Sequence, residues 1–201
     1  MYKRFFKRAA DIIISFGGLL IVSPFFVFIL LIAFLKTKGS PFFLQRRPGL
    51  NEKNFWLIKM RTMANIYDSE GKLLPDKDRI TRWGRFLRET SLDEIPQLIN
   101  VLKGDMSLIG PRPLLPEYLP LYSDFQKRRH LVRPGITGLA QIKGRNSISW
   151  QQKFDFDVWY VENVCFKIDL QIFLQTIKKI FVREGINRSA ELTMPFFDGN
   201  P

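Results

Sequence analysis

The chain has 201 residues, 46% of them hydrophobic and one of them a cysteine: enough for one modest domain plus a membrane element, and too few sulfurs for an intramolecular disulfide. Lys and Arg number 31 against 19 Asp and Glu, a formal net charge of +12, so the expected partner is negative: nucleic acid, anionic lipid or a phosphorylated substrate. The single histidine, His130, excludes a His-built zinc site and leaves no Cys/His nucleophile with any spacing logic.

Residues 12–35 carry no charge, and at about 1.5 Å per residue they are long enough to cross a hydrocarbon core. Ser23-Pro24 interrupts the run near its middle. Pro24 cannot donate to the Leu20 carbonyl, and the Ser23 hydroxyl can bond back to the preceding turn, so a kink is expected there. Lys3, Arg4, Lys7 and Arg8 precede the segment, and Lys36, Lys38, Arg46 and Arg47 follow it. Basic flanks favour the cytoplasmic side at both ends. A helix that enters one leaflet, bends and returns satisfies both; a straight span satisfies one. The re-entrant reading is preferred over the spanning one, and a signal peptide is set aside because the run is too long and no small-residue cleavage pattern follows. Residues 1–38 then form the membrane element and 39–201 a domain at the cytosolic face, and the apolar segment favours lipid and phosphate over nucleic acid.

Residues 41–47 and 55–61 read as two short strands joined through Pro48-Gly49 and a polar loop, a hairpin running into Lys59-Met60-Arg61. Residues 65–78 are polar, contain Gly71 and Pro75, and read as loop. Arg79, Arg82, Arg85 and Arg88 recur every third residue with Trp83, Phe86 and Leu87 between them. That places a basic and an apolar ridge on one helix, suited to the headgroup level of a membrane, although a solvated charged face gives the same pattern.

Asp93 and Glu94 lie between Arg88 and the turn Gly110-Pro111-Arg112-Pro113. Two carboxylates beside arginines suggest phosphate chemistry. Ser91-Leu92-Asp93-Glu94 is also a capping box, with Ser91 as N-cap, but that register puts Pro96 where its missing N–H removes a helical bond. Starting at Asp93 puts Pro96 in the first turn and frees the carboxylate to point outward. Both readings stand at this point. Leu98, Ile99 and Leu102 continue at helical spacing to Lys103-Gly104, and residues 106–109 are short and extended. Pro111 and Pro113 stiffen the turn around Arg112, which pre-positions a planar fork of donors for phosphate oxygens.

Arg133-Pro134-Gly135-Ile136-Thr137-Gly138 is a further Gly/Pro turn leading to residues 139–142 and Gly144-Arg145. It matches neither a Walker loop nor a dinucleotide fingerprint. Ser149 and Gln152 form a capping box, and a last helix is expected over 169–185 with Asp169 as N-cap and Leu170, Phe173, Leu174, Ile177, Ile180 and Phe181 on one face. Cys165 is expected in the core and His130 at the surface. Asn187-Arg188-Ser189 matches a glycosylation triplet by chance.

These motifs together resemble the monotopic phosphoglycosyl transferases, or bacterial sugar transferases, of the small PglC-like type. The resemblance runs through Ser23-Pro24, Gln45-Arg46, Lys59 to Met63, Arg88 to Pro96, Asp105 to Pro113, Arg133 to Arg145 and the Asp169 helix, and 90–113 is its most specific stretch. It implies transfer of a phosphosugar from a UDP-sugar to polyprenol phosphate such as undecaprenyl phosphate, with release of UMP, in the first membrane step of glycoconjugate assembly. It also implies Mg²⁺ dependence and an α+β, mainly helical fold: an N-terminal re-entrant membrane helix, a short β-hairpin and amphipathic interfacial helices around a compact cytosolic catalytic core. The site would lie at the cytoplasmic face of the bacterial inner membrane. In the family the residue matching Asp93 is the nucleophile, forming an aspartyl-phosphosugar, Glu94 assists, and Arg112 holds phosphate. Lys59, Arg61, Arg88 and Arg145 join as phosphate-binding candidates, and Asp93 and Glu94 as metal ligands. The suggested sugar is N-acetylated and amino, such as diacetylbacillosamine, with anionic lipids and downstream glycosyltransferases as further partners. The competing class is a non-enzymatic basic membrane adaptor that uses its arginines on lipid headgroups; a nucleic-acid binder ranks third.

Overall fold

The computed structural model describes residues 1–37, 40–144, 147–182 and 195–199. Helix α1 runs over Lys7–Thr37, and its stretch Lys7–Phe34 is long and apolar enough to cross a membrane. The chain stays helical through Pro24, and the Ser23 hydroxyl donates to the Leu20 carbonyl at 2.9 Å, the back-bond expected beside a proline.

Both ends of α1 are tied to the rest of the protein. Arg8 donates to the carbonyls of Val101 (2.7 Å) and Leu102 (3.1 Å), and Asp11 accepts from the Leu108 amide. Near the other end Ala33 is buried with Met60 and Leu87, with Phe26, Ile29 and Leu30 packed around them. Ahead of the helix, Tyr2 (2.6 Å) and Lys7 (2.7 Å) both donate to one oxygen of Asp169, whose other oxygen accepts from Tyr160 (2.7 Å).

Strands β1 (Phe42–Pro48) and β2 (Asn54–Met60) form the expected antiparallel hairpin, in a register that sets Leu44 opposite Ile58 and Arg46 opposite Trp56. The expected loop over 65–78 gives way at its end to a short helix α2 (Asp76–Arg79), followed by α3 (Arg82–Glu89). The arginine ridge is therefore not one helix. Thr81 breaks it, because its hydroxyl caps α3 at the Gly84 amide while its own amide reaches the Thr62 carbonyl. Arg79 thus belongs to α2, and Arg82, Arg85 and Arg88 to α3.

Helix α4 (Gln97–Lys103) ends at Gly104, which sits in the left-handed region at φ 95°. Its buried residues are Gln97, Asn100 and Val101, while Ile99, one of the positions at apolar spacing, is exposed. The side-chain oxygen of Asn100 accepts from the Ile58 amide and its nitrogen donates to the Trp56 carbonyl, which ties α4 to β2.

Strand β3 (Ser107–Ile109) pairs in parallel with β4 (Gly135–Thr137), a segment expected to be only a turn. Helices α5 (Asp124–Lys127), α6 (Leu139–Lys143), α7 (Trp150–Glu162) and α8 (Phe166–Val182) complete the described α-helices. The capping box at Ser149 and Gln152 opens α7 as expected. Asp169 lies inside α8 rather than capping it, because its carboxylate is taken by Tyr2, Lys7 and Tyr160. Residues 183–185 and the triplet at Asn187 lie outside the described residues.

Ile109, Val132, Ile142, Tyr160, Val161 and Ile172 form one core cluster, and Tyr118, Tyr122, Phe154 and Phe197 a second. Each fully buried large side chain contributes on the order of 1.5–3 kcal/mol. The expectations for His130 and Cys165 are reversed. His130 is only 6% exposed, with Nδ1 3.3 Å from the Gly49 carbonyl, whereas Cys165 is exposed at the start of α8.

Candidate active site

Asp93 and Glu94 belong to a 3₁₀ turn, Leu92–Glu94, wedged between α3 and α4. Ser91 precedes it at φ 57°, in the left-handed region, and makes no capping bond. That excludes the capping box and costs about 1 kcal/mol or more, the kind of strain a surrounding site must hold in place. Pro96 stands just before α4, where its missing amide interrupts nothing.

Glu94 faces Arg112. Nη2 of Arg112 pairs with Glu94 Oε1, and Nη1 lies 3.5 Å from both Glu94 Oε2 and the Ile136 carbonyl. The Arg112 side chain keeps 40% of its surface while paired with Glu94, so it is not sealed from a ligand. Its backbone is fixed as the two prolines suggest: the Gly110 amide donates to the Thr137 carbonyl and the Pro111 carbonyl accepts from Gly135.

Asp93 is 8% exposed as a residue, and among the described residues no side chain or amide donates to its carboxyl. Burial pushes it up to about 6 and the adjacent Glu94 adds to that, while the charges of Lys59, Arg112 and Arg88 pull it back. Those five residues thus share one electrostatic neighbourhood. Lys59 comes from the end of β2, and burial with the nearby Arg112 pushes its ammonium down to about 8. Arg88 is held by a bond from Nε to the Thr62 hydroxyl at 3.0 Å. This contact depends on Gly84, one turn earlier on α3, because a Cβ there would lie 1.8 Å from the Thr62 carbonyl oxygen.

Arg61 is half-buried and its Nε has no hydrogen-bond partner among the described residues; no described contact joins it to the carboxylates. Arg145 lies outside the described residues. Ser23 and Pro24 lie on α1. Sequence reading missed Thr62, which orients Arg88, and Arg47, a half-buried arginine pushed down to about 10 by burial and by Arg112. The run Gln45-Arg46-Arg47 carried a signal for Arg47 that was read only as a basic flank.

Two adjacent carboxylates suit Mg²⁺, which favours one or two carboxylates completed by substrate phosphates and water. The Asp93 oxygens, which accept no hydrogen bond from a described residue, fit that role, and among the described residues there is no group of three or more His, Cys, Asp or Glu that could hold a metal instead.

Residues 2–183 match the family model for bacterial sugar transferases. The chain is 51% identical over 194 residues to the uncharacterized sugar transferase EpsL of Bacillus subtilis, covering 96% of each. It is 39% identical over 199 residues to the undecaprenyl-phosphate galactose phosphotransferase of Salmonella typhimurium, and 34% identical over 189 residues to the UDP-N-acetylgalactosamine-undecaprenyl-phosphate N-acetylgalactosaminephosphotransferase of Aeromonas hydrophila. It spans 42% and 45% of the length of those two relatives, against 90% of its own. With a family match over nearly the whole chain and a relative aligned almost end to end, the chain belongs to the bacterial sugar transferases.

Proposed function

We propose that the protein is a membrane phosphoglycosyl transferase that moves a phosphosugar from a UDP-sugar to polyprenol phosphate, at the cytoplasmic face of the bacterial inner membrane. The observation that carries this reading is a buried carboxylate, Asp93, without a hydrogen-bond donor, beside Lys59, Arg88 and Arg112. Two anionic substrates must be held together while charge spreads over the transferring phosphoryl group, and three cations serve that end.

The Asp93 oxygen attacks the sugar-bearing phosphorus, the bond from that phosphorus to the bridging oxygen breaks, and UMP leaves. An oxygen of polyprenol phosphate then attacks the same phosphorus, and the Asp93 carboxylate is released with the new diphosphate lipid. Arg112 and Lys59 orient the diphosphate, and Arg88, held by Thr62, stabilises negative charge beside Asp93. Mg²⁺ held by Asp93 and Glu94 would supply charge neutralisation for the diphosphate and favour the ionised carboxylate. Purified protein given radiolabelled UDP-sugar without lipid acceptor should release UMP and carry label on Asp93. Label that requires the acceptor would favour direct transfer in a ternary complex.

The pH profile follows from the same groups. Asp93 attacks only when ionised and Lys59 binds diphosphate only when protonated, so kcat/KM should rise through about pH 6 and fall through about pH 8. Bound cation moves the acid limb lower, since it favours the carboxylate. Lys59→Arg should keep the acid limb and abolish the alkaline one; an unchanged alkaline limb would remove Lys59 from the site.

The sugar is proposed as an N-acetylated amino sugar such as diacetylbacillosamine, and the product would feed downstream glycosyltransferases in glycoconjugate or glycoprotein assembly. The names of the relatives above divide between galactose and N-acetylgalactosamine, so a panel of UDP-sugars assayed for UMP release is the direct test. Activity confined to sugars without an N-acetyl group would sink that assignment.

The membrane helix is proposed to be re-entrant, supported by the attachment of Arg8 and Asp11 at one end of α1 and Ala33 at the other to a single cytosolic domain. In cells, Lys3→Cys and Ser40→Cys in a Cys165→Ser background should both resist a membrane-impermeant thiol reagent. External labelling at position 3 would establish a spanning helix.

A further inference from the structure

Arg129 and Asp157 form an ion pair with side-chain exposures of 1% and 2%, far from any solvent-facing role. Nε and Nη2 of Arg129 both donate to Asp157 Oδ2, at 3.1 and 2.7 Å. The same Nη2 also donates to the backbone carbonyl of Arg112 at 2.7 Å. The guanidinium carbon also lies 5.9 Å from the centroid of the Tyr122 ring and 5.8 Å from that of the Phe154 ring, with both rings to one side of it. A buried pair of this kind is a poor source of stability, because desolvation of both charges offsets their attraction and well-packed apolar residues do as well or better. Its placement is therefore explained by what it holds.

The turn around Arg112 has three backbone anchors. Two are supplied by β4, through the Thr137 carbonyl and the Gly135 amide. The third, on the Arg112 carbonyl itself, comes only from Arg129 among the described residues. We propose that Arg129, held by Asp157, is a positioning residue that sets the direction of the Arg112 side chain toward substrate phosphate. The proposal rests on the reading of Arg112 as a phosphate clamp. Asp157 sits on α7 and Arg129 follows α5, so the clamp is braced by elements that supply no described contact to the carboxylate pair.

The test is to replace the pair by apolar residues, Arg129→Met with Asp157→Leu, in the full chain. A pair that only packs the interior loses nothing by this exchange, whereas a positioning pair loses its bond to Arg112. The double variant should unfold at or above the parent temperature yet lose about tenfold to a hundredfold in kcat/KM, with KM for the UDP-sugar carrying most of the change. Adding the exchange to Arg112→Lys should then cost less than about twofold, since the group being positioned is already altered. Parent-like kcat/KM in the folded double variant overturns the proposal, and so do equal losses in both backgrounds. If the double variant does not fold, Arg129→Lys, which keeps the charge and loses the fork, goes through the same cycle with the same criteria. Arg112→Lys with unchanged KM would instead defeat the phosphate-clamp reading, and with it the role of Arg129.

Discussion

Asp93→Asn is expected to abolish transfer and at the same time to stabilise the protein. The native carboxyl titrates at about 6 against an ordinary 3.8, so between about pH 4 and 6 the folded chain keeps a proton that the unfolded chain has lost. Stability therefore falls as pH rises through that window, and above it the ionised side chain costs on the order of 3 kcal/mol. Asn removes the charge and keeps the volume. Thermal unfolding in chelator, which excludes the stabilising effect of a bound cation, should show no gain below pH 4 and the full gain above pH 6. Were Asp93 only a helix cap, Asn would cap about as well and the unfolding temperature would stay close to that of the parent. An unfolding temperature at pH 7.5 that is unchanged or lowered is thus the outcome that contradicts the assignment.

Gly135→Ala is expected to be among the most damaging single-methyl additions in the chain. A Cβ there would stand 2.1 Å from the Gly110 amide nitrogen, 2.4 Å from the Thr137 carbonyl oxygen and 2.6 Å from the Gly110 carbonyl oxygen. All three neighbours are backbone. None can rotate away, so β4 must part from the turn that carries Arg112, at a cost of about 3 kcal/mol or more. Gly71→Ala is the control. Gly71 has φ +76° but open space around it, so only the left-handed backbone is strained, at roughly 1–2 kcal/mol. Thermal unfolding should rank the two far apart, and near-equal losses would mean that the contact at Gly135 is not as close as described.

Gly135 also marks where sequence reading stops. Arg133-Pro134-Gly135 reads as a turn because Gly and Pro usually act through their own dihedrals, yet this glycine serves a close approach to residue 110, which local pattern does not encode. The hairpin, the capping box at Ser149 and the stiff Arg112 turn were legible because their causes lie within a few residues. Asn100 bonds β2 from more than 40 positions away, and Arg129 finds Asp157 across 28, so local pattern does not reveal these pairings. His130 departs from its expected surface place for the same reason: the Gly49 carbonyl that meets its ring lies 81 positions away. At the site, Asp93, Glu94 and Arg112 were readable as a set, whereas the support of Arg88 by Thr62 was not, since it depends on the glycine contact that lets α3 approach.

The bonds from Tyr2 and Lys7 to Asp169 join groups 167 and 162 residues apart, nearly the length of the chain. During synthesis the apolar helix leaves the ribosome long before Asp169 exists. The carboxylate that later grips the leading end of the helix can therefore only retain a placement the helix has already taken. A chain released before residue 169 would carry the apolar helix and the carboxylate pair, but not the latch on the leading end of that helix.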